Sequence, residues 1–299
     1  MFENILGNDK IKKDLEKSLK NNRTSHSYMF IGEEGIGKKE IAKEFSKSIL
    51  CLNNVDGTYC NKCKSCLEFN SANHPDFKII EPEGNTLKID QIREFQKKVS
   101  EKPIVGSRKV YIINDSDKMT SEAQNCLLKT LEEPPEFVTI ILIGSNESAF
   151  LSTIKSRCMI LHFEPIQNEL LKDYLEKKYN IIIKSQTMLE TFQGSIGKAL
   201  QLVEKQEIYE KIEEIIQNLE NKDIIDILKN AEIIYKEKDE IYSVLEYINI
   251  ILLKLAKQEY KYAECIEIVE NTKKRLKSNA NYDMSIDNML IKIKEKISA

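Results

Sequence analysis

The positions of glycine and proline divide this 299-residue chain into two parts that must fold differently. All ten glycines lie at or before Gly197, and all six prolines lie at or before Pro165. These two residue types supply the backbone conformations of tight turns and interrupt helices. The first part is therefore expected to alternate short strands with helices, and the remainder is expected to be entirely helical.

Five short runs rich in β-branched and aromatic residues predict the strands of the first part. They occupy residues 27–31, 77–80, 109–113, 138–143 and 159–163. Helical patterns lie between them, at about 39–52, 88–100, 119–133 and 166–179. Strands that alternate with helices form parallel sheets covered on both faces, so an α/β domain is predicted.

The glycine-free part has apolar residues at the three- and four-residue spacing of helices. The pattern predicts five helices, at about 204–220, 223–236, 239–258, 260–277 and 282–298. Such helices are expected to form a bundle that buries its own core. Their periodicity is equally compatible with a bundle that also mediates oligomerisation.

Charge and hydropathy narrow the range of functions. The formal net charge is −3, so the chain lacks an overall basic field, and DNA contacts are expected to be local or to come from partners. No stretch approaches the ~18 uninterrupted apolar residues of a membrane-spanning helix, and the first residues lack the apolar core of a signal peptide. A soluble cytoplasmic protein without membrane contact is predicted.

A glycine-rich loop follows the first predicted strand and leads directly into a helix. Gly32, Gly35 and Gly37 leave room for backbone N–H groups to surround phosphates, and Lys38 is placed to reach the β and γ oxygens. The pattern fails at its last position, where Lys39 replaces the Ser or Thr that binds Mg²⁺. The loop is predicted to descend from a nucleotide-binding loop, with a chance glycine-rich turn as the alternative.

The second nucleotide-binding element is expected at the carboxyl end of the strand at 109–113. NTPases carry one acid there for Mg²⁺ and a second, usually Glu, for the attacking water. Asn114 and Asp115 occupy these positions, and Asp117 follows either as a further acid of the site or as a solvated strand end. Binding of ATP or ADP is left open, and ATP hydrolysis by this chain is not expected.

Four of the seven cysteines lie close together and predict a metal site, with the spacing C-x8-C-x2-C-x2-C at Cys51, Cys60, Cys63 and Cys66. Four thiolates form a closed tetrahedral site for structural zinc, so one Zn²⁺ is predicted. An iron–sulfur cluster and free thiols are the alternatives. His74, near this module, is expected to be structural, since four cysteines already complete the site. The isolated cysteines are expected to be buried small hydrophobes: Cys126, Cys158 and Cys265.

Further motifs occur along the first part. The strand and loop at 26–32 read His-Ser-Tyr-Met-Phe-Ile-Gly, the four-cysteine insertion follows directly on the next helix, and 110–113 read Val-Tyr-Ile-Ile. More specific are Asn-Cys-Leu-Leu-Lys-Thr-Leu-Glu-Glu-Pro-Pro at 125–135 and the Ser-Arg-Cys motif formed by Ser156, Arg157 and Cys158. Over about residues 1–200 the chain resembles the bacterial AAA+ clamp-loader family, and beyond that it is similar only in length and helicity.

The resemblance implies a RecA-like AAA+ domain at 1–163 with the cysteine module at 51–66, a small helical lid at 164–205, and a helical collar at 206–299. In this family the collar joins five subunits into a ring. The implied partners are the motor (gamma/tau) and delta subunits of a hetero-pentameric clamp loader, and the sliding clamp and primer–template DNA through that complex. The implied setting is the replisome at the bacterial nucleoid.

Departures from the family pattern separate its two branches. Motor subunits carry Thr after the loop lysine, an Asp–Glu pair at the strand end, and Arg in a lid motif Gly-Ser-x-Arg. This chain has Lys39, Asn114–Asp115 and Gly197 at these positions, yet it keeps the arginine of Ser-Arg-Cys, Arg157. In the family that arginine points across the subunit interface at a neighbour's ATP. The combination implies a delta-prime-type subunit with a trans-acting arginine finger and little ATPase activity of its own.

Two other functions remain as alternatives. The first is an ATP-hydrolysing motor (gamma/tau) subunit, which ATPase activity of the purified protein would distinguish. The second is an unrelated DNA-binding module that reads nucleic acid with the zinc knuckle. Segment 53–65 is only weakly basic, and Tyr59 is its single aromatic residue able to stack on bases, which disfavours this function. In no case is this chain itself expected to polymerise DNA.

Overall fold

The computed structural model describes residues 1–298 and divides the chain into two compact units. The first unit comprises Met1–Gln167 together with Ser195–Gly197, and the second comprises Asn168–Gly194 together with the residues from Lys198 onward. Each unit has a buried apolar core of its own. The finer division into domain, lid and collar, at 163 and 205, stays a prediction.

The first unit is built on a five-stranded sheet. Its strands are β1 (Ser27–Ile31), β2 (Phe77–Ile80), β3 (Lys109–Ile113), β4 (Val138–Gly144) and β5 (Met159–His162). Their order in the sheet is β2-β3-β4-β1-β5, and each neighbouring pair is parallel, as predicted. Strand β1 therefore lies between β4 and β5, and β4 separates it from β3.

The three inner strands, β1, β3 and β4, are buried on both faces, which explains why they read as nearly continuous apolar runs. In β1, Tyr28 and Phe30 belong to the core on one face, and Met29 and Ile31 belong to the core on the other. This alternation follows from the two-residue period of a strand. Because β3 and β4 divide their residues in the same way, a one-residue slip would misplace every side chain.

Helices cover the two faces of the sheet. They are α1 (Asp9–Lys20), α2 (Lys38–Leu50), α3 (Lys64–Asn70), α4 (Ile89–Val99), α5 (Ser121–Glu132) and α6 (Ser152–Lys155), with 3₁₀ turns at Ser116–Lys118 and Glu147–Ala149. Helices α2, α4 and α5 confirm predicted helices, whereas α1, α3 and α6 were not predicted. Helix α1 buries Ile11, Leu15 and Leu19 at four-residue spacing, so its signal is present in the sequence.

The second unit consists of helices. They are α7 (Asn168–Tyr179), α8 (Gln186–Thr191), α9 (Ile196–Val203), α10 (Gln206–Gln217), α11 (Ile224–Tyr235), α12 (Ile241–Ala256), α13 (Lys261–Lys277) and α14 (Tyr282–Ile297), with 3₁₀ turns at Leu219–Asn221 and Lys238–Glu240. Helices α10 to α14 confirm the five helices predicted from the apolar spacing, and α7 confirms the one predicted at 166–179. Helix α9 begins in the first unit, at Ile196 and Gly197.

Helix α12 forms the centre of the second unit. Val244, Tyr247 and Ile248 are among its eight buried residues, and α8, α10 and α13 pack against it. The rings of Tyr209 and Tyr247 meet edge to face with their centroids 4.9 Å apart, a geometry that adds to the apolar burial. Within residues 1–298, none of the helices combines the length and apolar character that crossing a bilayer requires.

The isolated cysteines differ in how deeply they are buried. Cys265 is fully buried, as expected. Cys126 and Cys158 pack against the core of the sheet as small hydrophobes but are only half-buried, so the expectation of buried cysteines holds for them only in part. The Sγ of Cys126 donates a hydrogen bond to Gln96 Oε1 at 3.1 Å.

His74 joins the cysteine-containing segment to the sheet. Its Nε2 lies 2.9 Å from Ser65 Oγ, and Ser65 donates its own proton to the carbonyl oxygen of Leu50 at 2.6 Å. The other ring nitrogen, Nδ1, accepts a hydrogen bond from the N–H of Asp76 at 3.1 Å. The ring is therefore neutral with its proton on Nε2, and burial lowers the pKa of His74 despite the nearby Asp76 carboxylate. This confirms that His74 is structural.

His74→Leu is predicted to lower the free energy of unfolding by about 1–3 kcal/mol near neutral pH, because Ser65 Oγ and the Asp76 N–H lose their buried partner. The difference from wild type should narrow as the pH falls. The folded pKa of His74 lies below its ordinary value of 6.5, so below that pH the unfolded chain binds more protons and the wild type loses stability. Urea denaturation followed by circular dichroism between about pH 7.5 and 5.5 measures both effects.

His26 offers a matched control, because its side chain is exposed on the same unit. His26→Leu should change the free energy of unfolding by less than about 0.5 kcal/mol at each pH. A stability difference for His74→Leu that stays constant across this pH range would contradict a neutral buried ring.

Candidate functional site

The glycine-rich loop lies at the carboxyl edge of the sheet, where parallel α/β folds carry their ligand sites. It leaves β1 at Gly32 and enters α2 at Lys38. Gly35 and Gly37 have left-handed backbone angles, with φ of 76° and 93°, which glycine adopts without strain. The backbone N–H groups of the loop and the N-terminus of α2 therefore lie close together, as in anion-binding sites at helix N-termini.

Lys38 is a buried charged residue within this loop. The residue is 7% exposed, and its Nζ donates hydrogen bonds to the carbonyl oxygens of Gly32 and Glu33 at 2.5 and 2.6 Å. Among residues 1–298 it forms no ion pair with a carboxylate. Burial lowers the pKa of Lys38, and the more distant carboxylates of Glu34 and Asp117 oppose this effect. A buried ammonium group without a paired carboxylate favours an anion beside it.

Lys39 occupies the position at which nucleotide-binding loops carry the hydroxyl ligand of Mg²⁺. Its Nζ lies 2.5 Å from Oε1 of Glu81, the residue that follows β2. Both side chains are partly exposed, so the ion pair contributes only about 0.2–1 kcal/mol to stability. The pair nevertheless holds a positive charge where a metal ion would need an oxygen ligand.

The residues that follow β3 carry a second ion pair. Asp115 adopts a left-handed conformation with φ of 47°, and its carboxylate lies 3.0 Å from Lys118 Nζ. The hydrogen bond from Lys118 to this carboxylate raises the pKa of Lys118. Asn114 precedes the pair and offers an amide in place of the expected acid.

Asp117 has a structural role. Its Oδ2 accepts hydrogen bonds from Ser145 N at 3.1 Å, from Ser145 Oγ at 2.9 Å and from Asn146 N at 3.0 Å. The carboxylate therefore holds the turn that follows β4. Asp117 is therefore neither an acid of the nucleotide site nor a solvated strand end, the two roles considered from the sequence. Its three hydrogen-bond donors belong to Ser145 and Asn146, in a turn that begins 28 residues further along the chain.

A cavity of about 340 Å³ opens beside the loop and is within the size range of ligand pockets. Three lysines reach its walls, namely Lys38, Lys39 and Lys118, and acids line it as well, namely Glu34, Glu40 and Asp115. The cavity brings together all but one of the residues predicted to contact nucleotide: Gly35, Gly37, Lys38, Lys39, Asn114 and Asp115. Gly32 is not part of its lining.

The donor set of this cavity does not fit a Mg²⁺–nucleotide complex. Mg²⁺ requires oxygen ligands in near-octahedral geometry. An ammonium group, that of Lys39, stands at the hydroxyl position, and an amide, that of Asn114, stands at the position of the first acid. In the described part of the chain, no group of three or more His, Cys, Asp or Glu side chains other than the cysteine cluster is close enough to hold a metal.

Gly197 occupies the position expected for the lid arginine in motor subunits of the clamp-loader family. It lies against the glycine-rich loop. Its N–H donates to the carbonyl oxygen of Gly35 at 3.2 Å. A Cβ on Gly197 would lie 3.2 Å from the Cα of Gly35, closer than ordinary van der Waals contact. An arginine at position 197 would therefore displace its neighbours.

Arg157 lies on the surface before β5. Its two terminal nitrogens are both engaged, one with Glu132 Oε1 at 2.7 Å and the other with the carbonyl oxygen of Thr153 at 2.8 Å. The side chain remains 34% exposed. The backbone is fixed by Ser27, whose hydroxyl donates to the Arg157 carbonyl oxygen at 2.8 Å. Because both terminal nitrogens of the guanidinium group are already bonded within the chain, a phosphate could bind it in a bidentate manner only by replacing Glu132 or the Thr153 carbonyl.

The two residues that flank Arg157 in the Ser-Arg-Cys motif have supporting contacts of their own. Ser156 is exposed, and its hydroxyl donates to the carbonyl oxygen of Thr153 at 3.1 Å and accepts from a guanidinium nitrogen of Arg157 at 3.3 Å. Cys158 packs against the core, and burial raises the pKa of its thiol to about 11. Within the motif, Ser156 therefore helps to orient the Arg157 side chain, and Cys158 anchors the chain to the core.

Arg157 and the glycine-rich loop lie at opposite ends of the parallel strands, Arg157 at the amino ends and the loop at the carboxyl ends. Strands β1 and β5 are parallel, the loop follows the carboxyl end of β1, and Arg157 precedes the amino end of β5. The five residues of β1 span about 16 Å, which exceeds the reach of an arginine side chain. Arg157 therefore cannot act on a ligand of its own cavity.

The four predicted metal ligands lie together between α2 and α3. The sulfur atoms of Cys51, Cys60, Cys63 and Cys66 are within 4.8 Å of one another, and those of Cys51 and Cys63 are 3.9 Å apart. Metal–sulfur bonds of about 2.3 Å in a tetrahedron place sulfurs ~3.8 Å apart. The cluster can therefore hold one metal ion.

Backbone N–H groups point at these sulfurs. The N–H groups of Lys62 and Cys63 lie 3.5 and 3.3 Å from Cys60 Sγ, and the N–H of Cys60 lies 3.3 Å from Cys51 Sγ. The hydrogen bonds from the N–H groups of Lys62 and Cys63 lower the pKa of Cys60, whereas burial raises the pKa of Cys66. A bound cation would stabilise all four thiolates together.

Three side chains that were not singled out from the sequence contribute to the cavity beside the glycine-rich loop and to the surroundings of Arg157. Glu81 pairs with Lys39, Lys118 lines the cavity, and Glu132 pairs with Arg157. Glu132 lies inside the motif at 125–135, so a signal for it existed. Glu81 and Lys118 carry no motif that would distinguish them from other charged residues.

Comparisons with known proteins were made on sequence and on structure. A family model described as "DNA polymerase III, delta subunit" matches residues 7–167. The chain is 33% identical over 208 residues to DNA polymerase III subunit delta' of Bacillus subtilis, covering 70% of this chain and 63% of that protein. It is also 33% identical over 210 residues to DNA polymerase III subunit tau/gamma of Haemophilus influenzae, covering 68% of this chain and 30% of that protein. The match thus spans less than two thirds of either relative.

Among solved structures, a DNA polymerase III gamma-subunit-related protein of Thermotoga maritima superposes with a TM-score of 0.51. The match covers 95% of this chain and 99% of that one, at 19% sequence identity. At this identity the likeness concerns the fold alone. It agrees with a RecA-like AAA+ parallel sheet with flanking helices and a mostly helical second part.

Proposed function

We propose that the chain, which belongs to the DNA polymerase III delta-subunit family of clamp-loader proteins, acts as a delta-prime-type subunit of a clamp loader. In this role it supports ATP-dependent loading of the sliding clamp onto primed DNA, supplies an arginine to a neighbour's ATP, and hydrolyses little ATP itself. The partners are the motor (gamma/tau) and delta subunits of a hetero-pentameric ring in the cytoplasmic replisome. The clamp and primer–template DNA are reached through that complex.

The position of Arg157 carries this proposal. An arginine at the amino edge of the sheet is separated by the length of β1 from the cavity at the carboxyl edge. Its partly exposed guanidinium group is therefore available to a phosphate on another subunit. Glu132, itself half exposed, is a weak partner that a phosphate can replace, because exposed ion pairs contribute about 1 kcal/mol or less.

An ATP-hydrolysing motor subunit is the second candidate, and the equal identity to a tau/gamma relative favours it. Three positions weigh against it. Lys39 pairs with Glu81, Asn114 offers an amide, and Gly197 lies against Gly35. Phosphoryl transfer depends on positioning and charge stabilisation, so the loss of a hydroxyl, a carboxylate and a guanidinium group should abolish turnover.

The metal of the cysteine cluster is proposed to be zinc. A tetrahedral set of four sulfur ligands suits Zn²⁺ and leaves no open position for chemistry. The role is structural. Tyr59, the aromatic residue of this segment, donates to Glu44 at 2.6 Å and lies under Lys47 Nζ, 3.9 Å from its ring centre. These contacts with α2 argue against the knuckle as a base-stacking reader of DNA.

Arg157→Ala is predicted to slow ATP hydrolysis at the one site that faces this subunit, by about 10³–10⁵-fold, because the charge developing on the γ-phosphate loses its partner. Arg157→Lys should rescue little, since an ammonium group does not reproduce the fork. The measurement is DNA-stimulated ATPase and clamp loading by a reconstituted complex. Arg108→Ala is the matched control, because this half-buried arginine of the same unit donates a hydrogen bond to the Glu136 carbonyl and lies outside the Ser-Arg-Cys motif.

A complex with Arg157→Ala that assembles normally and loads clamps at the wild-type rate would contradict the trans-acting role. Assembly is checked by gel filtration, so a lost interface cannot be mistaken for lost chemistry. The Arg108→Ala complex should match the wild type in both assays.

The purified chain alone is predicted to turn over ATP at well below about 1 per second, the lower end of ordinary enzymes. The reason is the unsuitable set of groups around the cavity, Lys39 and Asn114 above all. A motor subunit assayed in the same buffer, with clamp and primed DNA present, serves as the positive control. Turnover equal to that of the motor subunit would overturn the assignment.

The purified protein is predicted to contain about one zinc per chain, measured by elemental analysis without chelators. Cys60→Ser should lower the zinc content and speed hydrogen exchange in residues 51–66, while the strands stay protected, since the sheet has its own core. Cys126→Ser, outside the cluster, is the control and should keep the metal. Iron in place of zinc, or unchanged zinc in Cys60→Ser, would be evidence against the site.

A further inference from the structure

We propose that one end of the helical second unit binds single-stranded nucleic acid, through a basic surface on which an exposed tyrosine lies among cations. The basic surface is formed by six residues: Lys236, Lys238, Tyr242, Lys274, Arg275 and Lys277. The ligand class is an unpaired strand of DNA or RNA, bound by its phosphates and by stacking of a base. The proposal goes beyond the function proposed above, in which this chain reaches DNA only through the complex, and it does not depend on Arg157.

Four helix ends meet at the basic surface. Helices α12 and α13 are joined by the short connection 257–260 and pack side by side, so the carboxyl end of α13 lies beside the amino end of α12. The Nζ of Lys277 accordingly lies 5.9 Å from the centre of the Tyr242 ring. The end of α11 leads through a 3₁₀ turn into α12, and Lys238 Nζ lies 5.5 Å from the ring centre of Tyr282, the first residue of α14. Cations from two distant segments of the sequence are thereby brought to one end of the bundle.

The cations at the end of α13 have no carboxylate partners. Lys274, Arg275 and Lys277 are exposed, and within residues 1–298 none of them forms an ion pair. Lys273, the residue before them, does form one, with Glu270 at 2.7 Å. A helix carboxyl end favours cations, but its dipole corresponds to only about half an elementary charge. Three unpaired cations exceed what that dipole can offset, so their charge is available to a ligand.

Acidic side chains near the basic surface offset its charge only in part. Glu237 and Glu240 are engaged by Lys205, with nitrogen–oxygen distances of 2.7 and 3.1 Å. Three exposed acids border the surface, against its five cations: Glu232, Asp239 and Asp283. The local balance is therefore positive, although the whole chain carries a net charge of −3. A local excess of this sign attracts phosphates to this end of the unit.

Tyr242 supplies a ring that can stack on a base. The residue is 43% exposed in the first turn of α12. Aromatic rings beside cations are the arrangement by which proteins hold single strands, because every base has a π face. In a duplex those faces are already stacked on neighbouring bases, so an exposed ring favours an unpaired strand.

The opposite end of α12 has an exposed tyrosine without a basic surface around it. Tyr260 is 79% exposed there. The nearby ammonium group of Lys261 pairs with Glu220 at 3.1 Å and with Glu259 at 3.0 Å. Two carboxylates thus neutralise this cation and would repel a phosphate. Tyr260 therefore serves as a control for stacking in the absence of unpaired cations.

The test is fluorescence anisotropy of labelled oligonucleotides titrated with the full chain. The probes are a deoxythymidine strand, a uridine strand and a DNA duplex, each about 16 nucleotides long. The single strands should bind with a Kd of ~10⁻⁶–10⁻⁴ M, and the logarithm of the binding constant should fall with that of the salt concentration with a slope of about −3. Tighter binding of the deoxythymidine strand would identify DNA as the ligand, and tighter binding of the uridine strand would identify RNA. Equal affinities would identify the features that the two share.

Two sets of substitutions separate the charge from the ring. The triple variant Lys274→Gln, Arg275→Gln, Lys277→Gln should weaken binding of a single strand about tenfold or more at low salt and reduce the salt slope by about 2, because three phosphate contacts are lost. Tyr242→Ala should weaken binding about fivefold or more and leave the slope unchanged, whereas Tyr242→Phe, which keeps the ring, should bind like wild type. All four positions are exposed, so the variants should fold, as circular dichroism can verify.

Matched controls make the same changes outside the basic surface. A second triple variant removes the same charge from exposed positions of the same unit: Lys172→Gln, Lys211→Gln and Lys257→Gln. Tyr260→Ala removes the more exposed tyrosine. Both controls should keep the affinity for a single strand within about twofold of wild type.

Four outcomes would each overturn the proposal. They are no binding of a single strand, binding of the duplex as tight as that of a single strand, wild-type affinity in the first triple variant, and wild-type affinity in Tyr242→Ala. Polyglutamate of matched length is a further probe, and its binding as tightly as a single strand would identify an acidic protein as the partner instead. None of these outcomes bears on the role of Arg157.

Discussion

The parallel pairing of β1 with β5 determines where the two candidate regions of this protein lie. At the carboxyl end of β1 the chain must turn, and the glycine-rich loop and α2 make that turn. At its amino end, the hydroxyl of Ser27 holds the carbonyl oxygen of Arg157 at 2.8 Å. Because the two strands run in the same direction, the loop and Arg157 are fixed at opposite edges of one sheet. Burial of β1 on both faces makes that separation rigid.

This separation would allow the proposed function, in which the chain's own cavity does not hydrolyse ATP while Arg157 acts on a neighbour. Changes at the carboxyl edge, such as Lys39 and Asn114, alter only the chain's own cavity. In the proposed role Arg157 serves a neighbour's active site, so that role does not depend on the chain's own cavity. Its ion pair with Glu132 is partly exposed and therefore weak enough to exchange for a phosphate. Under this proposal the chain would complete catalysis on another subunit without performing it.

Much of the fold could be predicted from the sequence, because strands buried on both faces read as unbroken apolar runs between turn residues. All five strands were found within one residue of their ends. Helices with a long periodic face were found as well, whereas α3 and α6, with seven and four residues, are too short to show a period. Helix α1 was overlooked although Leu15 and Leu19 mark its buried face.

The site was predictable where a spacing identifies the chemistry, as for the four cysteines, which lie together as predicted. It was not predictable where a side chain acts through a distant partner. Glu81 lies 42 residues from Lys39, and nothing in the local sequence indicates that β2 ends beside the phosphate loop. The structural role of Asp117 was not predicted for the same reason, since the groups that donate hydrogen bonds to its carboxylate lie in the turn after β4. Such ion pairs, and hydrogen bonds from a turn to a distant carboxylate, form only once the folded sheet has brought distant parts of the chain together.

A structure of the reconstituted clamp loader with a non-hydrolysable ATP analogue tests the central claim most directly. The account predicts that a guanidinium nitrogen of Arg157 lies ~2.7–3.2 Å from a γ-phosphate oxygen of the neighbouring subunit's nucleotide, with Glu132 displaced. It also predicts that no Mg²⁺ lies between Lys39 and Asn114 in this chain's own cavity. Arg157 still paired with Glu132 and remote from any nucleotide, beside a Mg²⁺–nucleotide in its own cavity, would contradict the account.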